Sequence, residues 1–211
     1  MLQKTLQIRT SPHIKRGIST DTIMLNVVYA MLPVVLFAIY SFGLSALMVM
    51  LSTTSAAVLT EHYLCKRAGQ ASTVSDGSAV ITGLLLGLTL PPNFPMWMGF
   101  VGGVLSIALG KYIFGGLGYN IFNPALVGRA VLQAAFPVAI TTWFPVFLPD
   151  RFTTVAAGTF AFPFMEPAVD VIDGFSGATP LALFKFDKIP TDTTDLALGI
   201  VSGSTGKPTP Y

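Results

Sequence analysis

Thr22-Ile23-Met24-Leu25-Asn26-Val27-Val28-Tyr29-Ala30-Met31-Leu32-Pro33-Val34-Val35-Leu36-Phe37-Ala38-Ile39-Tyr40 is apolar apart from Asn26. As a helix it is long enough to span a hydrocarbon core of about 30 Å. Residues 1–21 before it are polar and basic, with Lys4, Arg9, Lys15 and Arg16, and end in Ser19-Thr20-Asp21, a sequence suited to capping a helix. No small-residue cleavage site follows a short apolar run, so the beginning does not read as a cleaved signal. Ser41 and Gly43 mark a tight turn, after which Leu44 to about Leu59 forms a second span, closed by Glu61, His62, Lys66 and Arg67. Basic residues before the first span and after the second place those ends in the cytoplasm. The two helices then form a hairpin with its tip outside.

Composition agrees. Of 211 residues, 52% are hydrophobic and 10% charged, with a mean hydropathy of +0.68. A soluble domain carries about 25% charged residues, so most of this chain is expected to face lipid or other membrane helices. A net charge of +2, scattered along the chain, gives no footprint for nucleic acid. With Cys65 as the one cysteine, an internal disulfide and a cysteine-cluster metal or iron–sulfur site are excluded within this chain. Cys65 reads as a bystander near the cytoplasmic edge. His13 and His62 stand far apart in sequence, which argues against a metal site.

Ser78 to Leu90 is apolar, with Gly83 and Gly87 at GxxxG spacing, and runs into Pro91-Pro92. As a helix it covers about 20 Å, short of a crossing. Two readings fit: a span completed irregularly through Pro92 to Pro95, or a broken, re-entrant helix packed within protein, which we favour. Trp97 to Phe114 is a clearer span, with Gly99, Gly102, Gly103 and Gly110 permitting close packing and Lys111 at its cytoplasmic end. Gly115 to Ala125 is a loop feeding a helix that has Pro124 in its first turn. Asn120 and Asn123 suit helix capping or a polar contact to a bound ligand. Arg129, one turn into an apolar helix, either snorkels to the interface or pairs with a phosphate. Val131 to Leu148 completes a further span, interrupted by Pro137 and Pro145, with Trp143 as an interfacial anchor.

Asp150 to Lys188 is a mixed, Pro- and Gly-containing stretch that holds Glu166, Asp170, Asp173 and Asp187. Within it, Asp173-Gly174-Phe175-Ser176-Gly177-Ala178-Thr179 is poor core material. Locally, Asp-Gly is an ordinary turn dipeptide leading into Pro180. The small residues also leave a thinly clothed backbone that presents a hydroxyl at its end.

Ser11-Pro12-His13-Ile14, Ser75-Asp76-Gly77-Ser78, Leu88-Thr89-Leu90-Pro91-Pro92, Gly115 to Ala125 and Ser176-Gly177-Ala178-Thr179 occur in the order found in one membrane redox family. They resemble RnfD, a membrane component of the Rnf ion-translocating electron transport complex. The homologous NqrB component of the sodium-pumping NADH:quinone reductase is the near neighbour. The resemblance covers essentially the whole chain. It implies an all-α, polytopic protein of the bacterial cytoplasmic (inner) membrane, with about five transmembrane or re-entrant helices and a flavin-bearing loop. The expected division is a cytoplasmic segment 1–21, a transmembrane domain 22–148, an extracytoplasmic loop 149–190 and, at 191–211, the start of a C-terminal half. Val201 to Gly206 resembles the family's lead into a next helix, whereas Lys207 to Tyr211 does not follow on, and a truncated or frameshifted product is expected.

The resemblance further implies FMN joined through its phosphate to Thr179. Asp173, Gly174, Ser176, Gly177 and Ala178 match the attachment signal, and Asn120, Asn123 and Arg129 are candidate cofactor contacts. A second, noncovalent flavin, riboflavin, is left open. Threonine oxygen is a poor nucleophile without a base, and no histidine lies near the motif. A separate flavin transferase using FAD and magnesium is therefore expected as a partner, beside the lipid bilayer and the other Rnf proteins. Asp173 would position the metal or accept a proton there. Competing readings are a channel or secondary transporter lined by broken helices, and a scaffold whose glycines only pack helices. No acidic residue is placed inside a span, so the ion path is expected in other proteins of the complex.

Overall fold

The computed structural model describes residues 19–69, 73–143 and 146–163, together with 184, 185, 188 and 192–194. Among these residues the regular structure is helical, without strands. Helix α1 spans Thr20–Phe42 and α2 Leu44–Arg67. The Ser19 hydroxyl caps α1 by accepting from the Thr22 N–H at 3.2 Å. Gly43 makes the turn at φ 77°, where a Cβ would stand 1.9 Å from the Arg151 carbonyl oxygen. Glycine is required there on both counts. α1 and α2 are the two helices of the described residues long and apolar enough to cross a membrane.

Segment 146–156 closes over the hairpin tip. The Phe147 N–H donates to Ser41 O (2.9 Å), Leu44 N–H to Arg151 O (2.9 Å) and Ala156 N–H to Ser45 Oγ (2.9 Å). The Arg151 guanidinium donates to Tyr40 O at 2.8 Å and lies over the rings of Phe152, Tyr40 and Phe147 at 4.8, 5.4 and 5.6 Å. Trp143 sits nearby, 6.3 Å from the Phe42 ring.

Against α2 pack α3 (Ser78–Thr89) and α4 (Met96–Ile107), the latter continuing as a π-helical turn over Ala108–Tyr112. After α3 the chain runs irregularly through Leu90–Pro95, with Leu90 and Phe94 buried beside Val49 in the N-terminal part of α2. The helix is thus short, as its length requires, and the irregular segment carries the chain on alongside α2. Small residues set the spacing. Thr53 Oγ donates across to Gly83 O at 2.9 Å, and Ser52 Oγ to Met96 O at 2.7 Å. Where lipid replaces water, such contacts and close backbone approach hold helices together, each bond contributing about 0.6 kcal/mol.

That spacing yields a paired test. A Cβ at Gly103 would meet Thr53 O at 2.6 Å and the Ala56 Cβ at 2.7 Å, whereas at Gly99 the nearest atom is 3.4 Å away. Gly103→Ala should cost about 1–3 kcal/mol by overpacking. Gly99→Ala should be neutral or stabilising by up to about 1 kcal/mol, from helix propensity. Thermal unfolding of the two variants in one detergent checks the order.

Helix α5 (Pro124–Ala135) runs back along α4, with Gly128 against Ser106 and Leu132 against Gly102. A short α6 (Pro137–Thr141) follows. The apolar segment Val131 to Leu148 is thus interrupted at Pro137, as expected, and its helical part ends at Thr141. Pro137 lacks the N–H that would bond back into α5, and Phe136 departs from helical geometry at φ −133°, ψ 59°.

Candidate functional site

Two carboxylates and one ammonium lie buried where α2, α3 and the end of α4 meet. Glu61 is on α2, beyond the expected end of the second span, because that helix runs on to Arg67. It is 3% exposed. Lys111 is 4% exposed and comes from the π-helical turn, in which Ile113 N–H bonds back to Ala108 O at 3.2 Å. The widened turn carries Lys111 into the interior instead of out to the interface. Such turns recur at functional sites.

The Lys111 Nζ donates to Glu61 Oε1 at 2.6 Å and to Ser78 Oγ at 2.5 Å. Ser78 Oγ in turn donates to Asp76 Oδ1 at 2.5 Å, and the Ser78 N–H reaches the same oxygen at 2.8 Å. This is the side-chain turn that aspartate forms two residues before an amide, and it opens α3. The Thr73 hydroxyl donates to Glu61 Oε1, and Cys65 Sγ lies 3.6 Å from Thr73 Oγ1. Glu61 Oε2 is buried without a partner. Acidic residues are thus built into the helical core, contrary to the sequence expectation. The pair survives burial because it is short and extended by hydroxyl donors.

Beside this network lies a cavity of about 410 Å³, within the range of small-molecule sites. Its polar lining is Ser78, Thr82, Lys111, Asn120 and Asn123, and Ile81, Leu85 and Phe122 are among its apolar walls. Asn123 caps α5, its Oδ1 accepting from Ala125 N–H at 3.0 Å. Asn120 Nδ2 donates to Phe122 O at 3.0 Å. Both asparagines therefore hold the loop and face the cavity, so the two roles open in the sequence are compatible. The lining therefore combines apolar side chains with amides, hydroxyls and one lysine.

Arg129 stands apart from this cavity. Its guanidinium donates to Thr89 O at the C-terminal end of α3, where unpaired carbonyls and the helix dipole favour a cation. Arg129→Met should therefore lower stability by about 1–3 kcal/mol, with Arg129→Lys intermediate. Chemical denaturation in detergent measures both. Asp173, Gly174, Ser176, Gly177, Ala178 and Thr179 lie outside the described residues.

Sequence reasoning missed Glu61, Asp76 and Lys111 as one site. A signal was present for Lys111: apolar Tyr112-Ile113-Phe114 follows it, so it does not end the apolar run.

Residues 7–209 match the NQR2, RnfD, RnfE family profile. The D component of the proton-translocating ferredoxin:NAD(+) oxidoreductase complex of Clostridium ljungdahlii is 45% identical over 136 residues, covering 64% of this chain and 41% of the relative. The D component of the Na(+)-translocating ferredoxin:NAD(+) oxidoreductase complex of Acetobacterium woodii is 39% identical over 202 residues, 95% of this chain and 56% of the relative. The D component of an ion-translocating oxidoreductase complex of Escherichia coli is 37% identical over 190 residues, 85% of this chain and 54% of the relative. The chain spans about half the length of the curated relatives it matches.

Proposed function

The chain belongs to the NQR2, RnfD, RnfE family, and on that premise we propose that it acts as the membrane-embedded D component of an ion-translocating ferredoxin:NAD oxidoreductase complex in the bacterial cytoplasmic membrane. In this reading it relays electrons through FMN esterified to Thr179. The observation that carries the proposal is the match over residues 7–209, with the Clostridium ljungdahlii and Acetobacterium woodii relatives named as the D component of such complexes and the Escherichia coli relative as that of an ion-translocating oxidoreductase complex. Two long apolar helices are in keeping with a membrane protein. The other proteins of the complex and a flavin transferase are its partners.

Thr179 would contribute the ester oxygen, with Gly177 and Ala178 slim enough to enter the transferase. Asp173 would position the metal or accept the proton there. The cavity lined by Asn120, Asn123 and Lys111 would hold a second, noncovalent flavin of the riboflavin type. Ile81, Leu85 and Phe122 would cover its faces, and Lys111 and the amides would orient its edge. A bound flavin supplies the electron exchange itself.

The test is ultraviolet in-gel fluorescence of the denatured full-length protein co-expressed with a flavin transferase. A fluorescent band supports the redox reading. A dark band beside an active transferase would overturn it in favour of a channel or secondary transporter, the class supported by the short α3 and its irregular continuation through Leu90–Pro95.

A further inference from the structure

The cavity and the buried ion pair share Lys111 and Ser78. We infer that Lys111 makes this cavity selective for a flat, largely apolar ring whose polar edge bears a negative charge, and that seating such a ring brings one proton onto Glu61. The inference rests on the reading of the cavity as a flavin pocket and adds to it a charge preference and a linked proton.

Among the described residues, Lys111 is the one charged residue lining the cavity. Its ammonium has three donors, of which Glu61 and Ser78 take two. Around it the charges are unequal: Glu61 and Asp76 are two buried carboxylates, and Lys111 is one cation. The Glu61 Oε2, buried and unpartnered, shows where the compensation is incomplete. A further negative charge at the cavity edge would compete for the same ammonium, and an unpaired buried carboxylate is neutralised before it is tolerated.

Glu61 is the group that gives way. Asp76 keeps the Ser78 N–H whatever Lys111 does, whereas Glu61 would retain only the Thr73 hydroxyl. The other titratable groups nearby do not substitute for it. Cys65 touches Thr73, the Tyr112 hydroxyl faces Leu64 O at 3.5 Å, and His62 is exposed. No bond between heavy atoms changes. The Lys111 N–H···O bond to Glu61 yields to one with the ring edge, Lys111 stays protonated, and bulk water supplies the proton that neutralises Glu61.

Riboflavin is the probe, because its oxidised ring is neutral and its reduced ring is an anion at the mildly alkaline pH at which both titrations are run. Titration calorimetry would be run anaerobically on the full chain in lipid nanodiscs, with oxidised and with dithionite-reduced riboflavin. Repeating it in buffers of different ionisation enthalpy counts the protons. The reduced ring should bind at least about tenfold tighter and take up about one proton, while the oxidised ring takes up none. Glu61→Gln should abolish the proton uptake and keep the preference, and Lys111→Met should abolish the preference. Equal affinities, or no proton uptake by the wild-type chain, would overturn the inference and leave the flavin pocket standing. Failure of both forms to bind would remove the flavin pocket, and the inference with it.

Discussion

Lys111→Met should destabilise the protein by about 3–5 kcal/mol, because it strands a carboxylate in the core. Lys111 and Glu61 are 5% and 3% exposed at their side chains, so solvent cannot screen the charge left behind. Asp76, linked through Ser78, adds a second uncompensated oxyanion. The double variant Lys111→Met, Glu61→Gln removes one of these charges together with its partner, and it should recover a large part of the loss, since an apolar or neutral replacement of a buried pair is often tolerated. Denaturant titration in detergent, followed by the fluorescence of Trp97 and Trp143, would measure both. A single variant as stable as wild type, or a double variant no better than the single, would show that the pair does not hold this core together.

Thr179→Val should remove covalent flavin completely while leaving expression and membrane insertion intact. Valine is nearly the shape of threonine and differs by the hydroxyl, so the substitution deletes the atom to which we propose the phosphoester is made. Thr179→Ser restores a hydroxyl and should recover part of the labelling. The readout is the fluorescent band of a denaturing gel, normalised to protein, with an active transferase present. Undiminished fluorescence in the valine variant would move the attachment to another residue. Loss in both variants, with the proteins well folded, would mean that the transferase reads the threonine methyl as well as its oxygen.

Much of the fold was legible because it is written locally. The Ser19 cap, the turn at Gly43 and the Asn123 cap with Pro124 behind it each depend on a few adjacent residues, and each stands as the sequence predicts. Helix ends were less legible. Pro137 interrupts the segment after Val131 as expected, but the hydropathy, which continues to Leu148, does not show that the helix ends at Thr141. At the other end of the scale, Glu61 and Lys111 read as charges closing two spans. A charge near a helix end has the same sequence signature whether it turns out to water or inward to a partner.

By itself, then, the sequence determined a helical, membrane-type chain with an α1–α2 hairpin, because length, hydropathy, caps and turns act within one element. Only the tertiary structure decided that Glu61 and Lys111, fifty residues apart, form a buried pair beside the cavity of Asn120 and Asn123. That outcome depends on how closely glycines let α3 and α4 approach α2, and on the extra residue in the π-helical turn. Both are properties of the packed backbone, and neither can be read from the charges themselves.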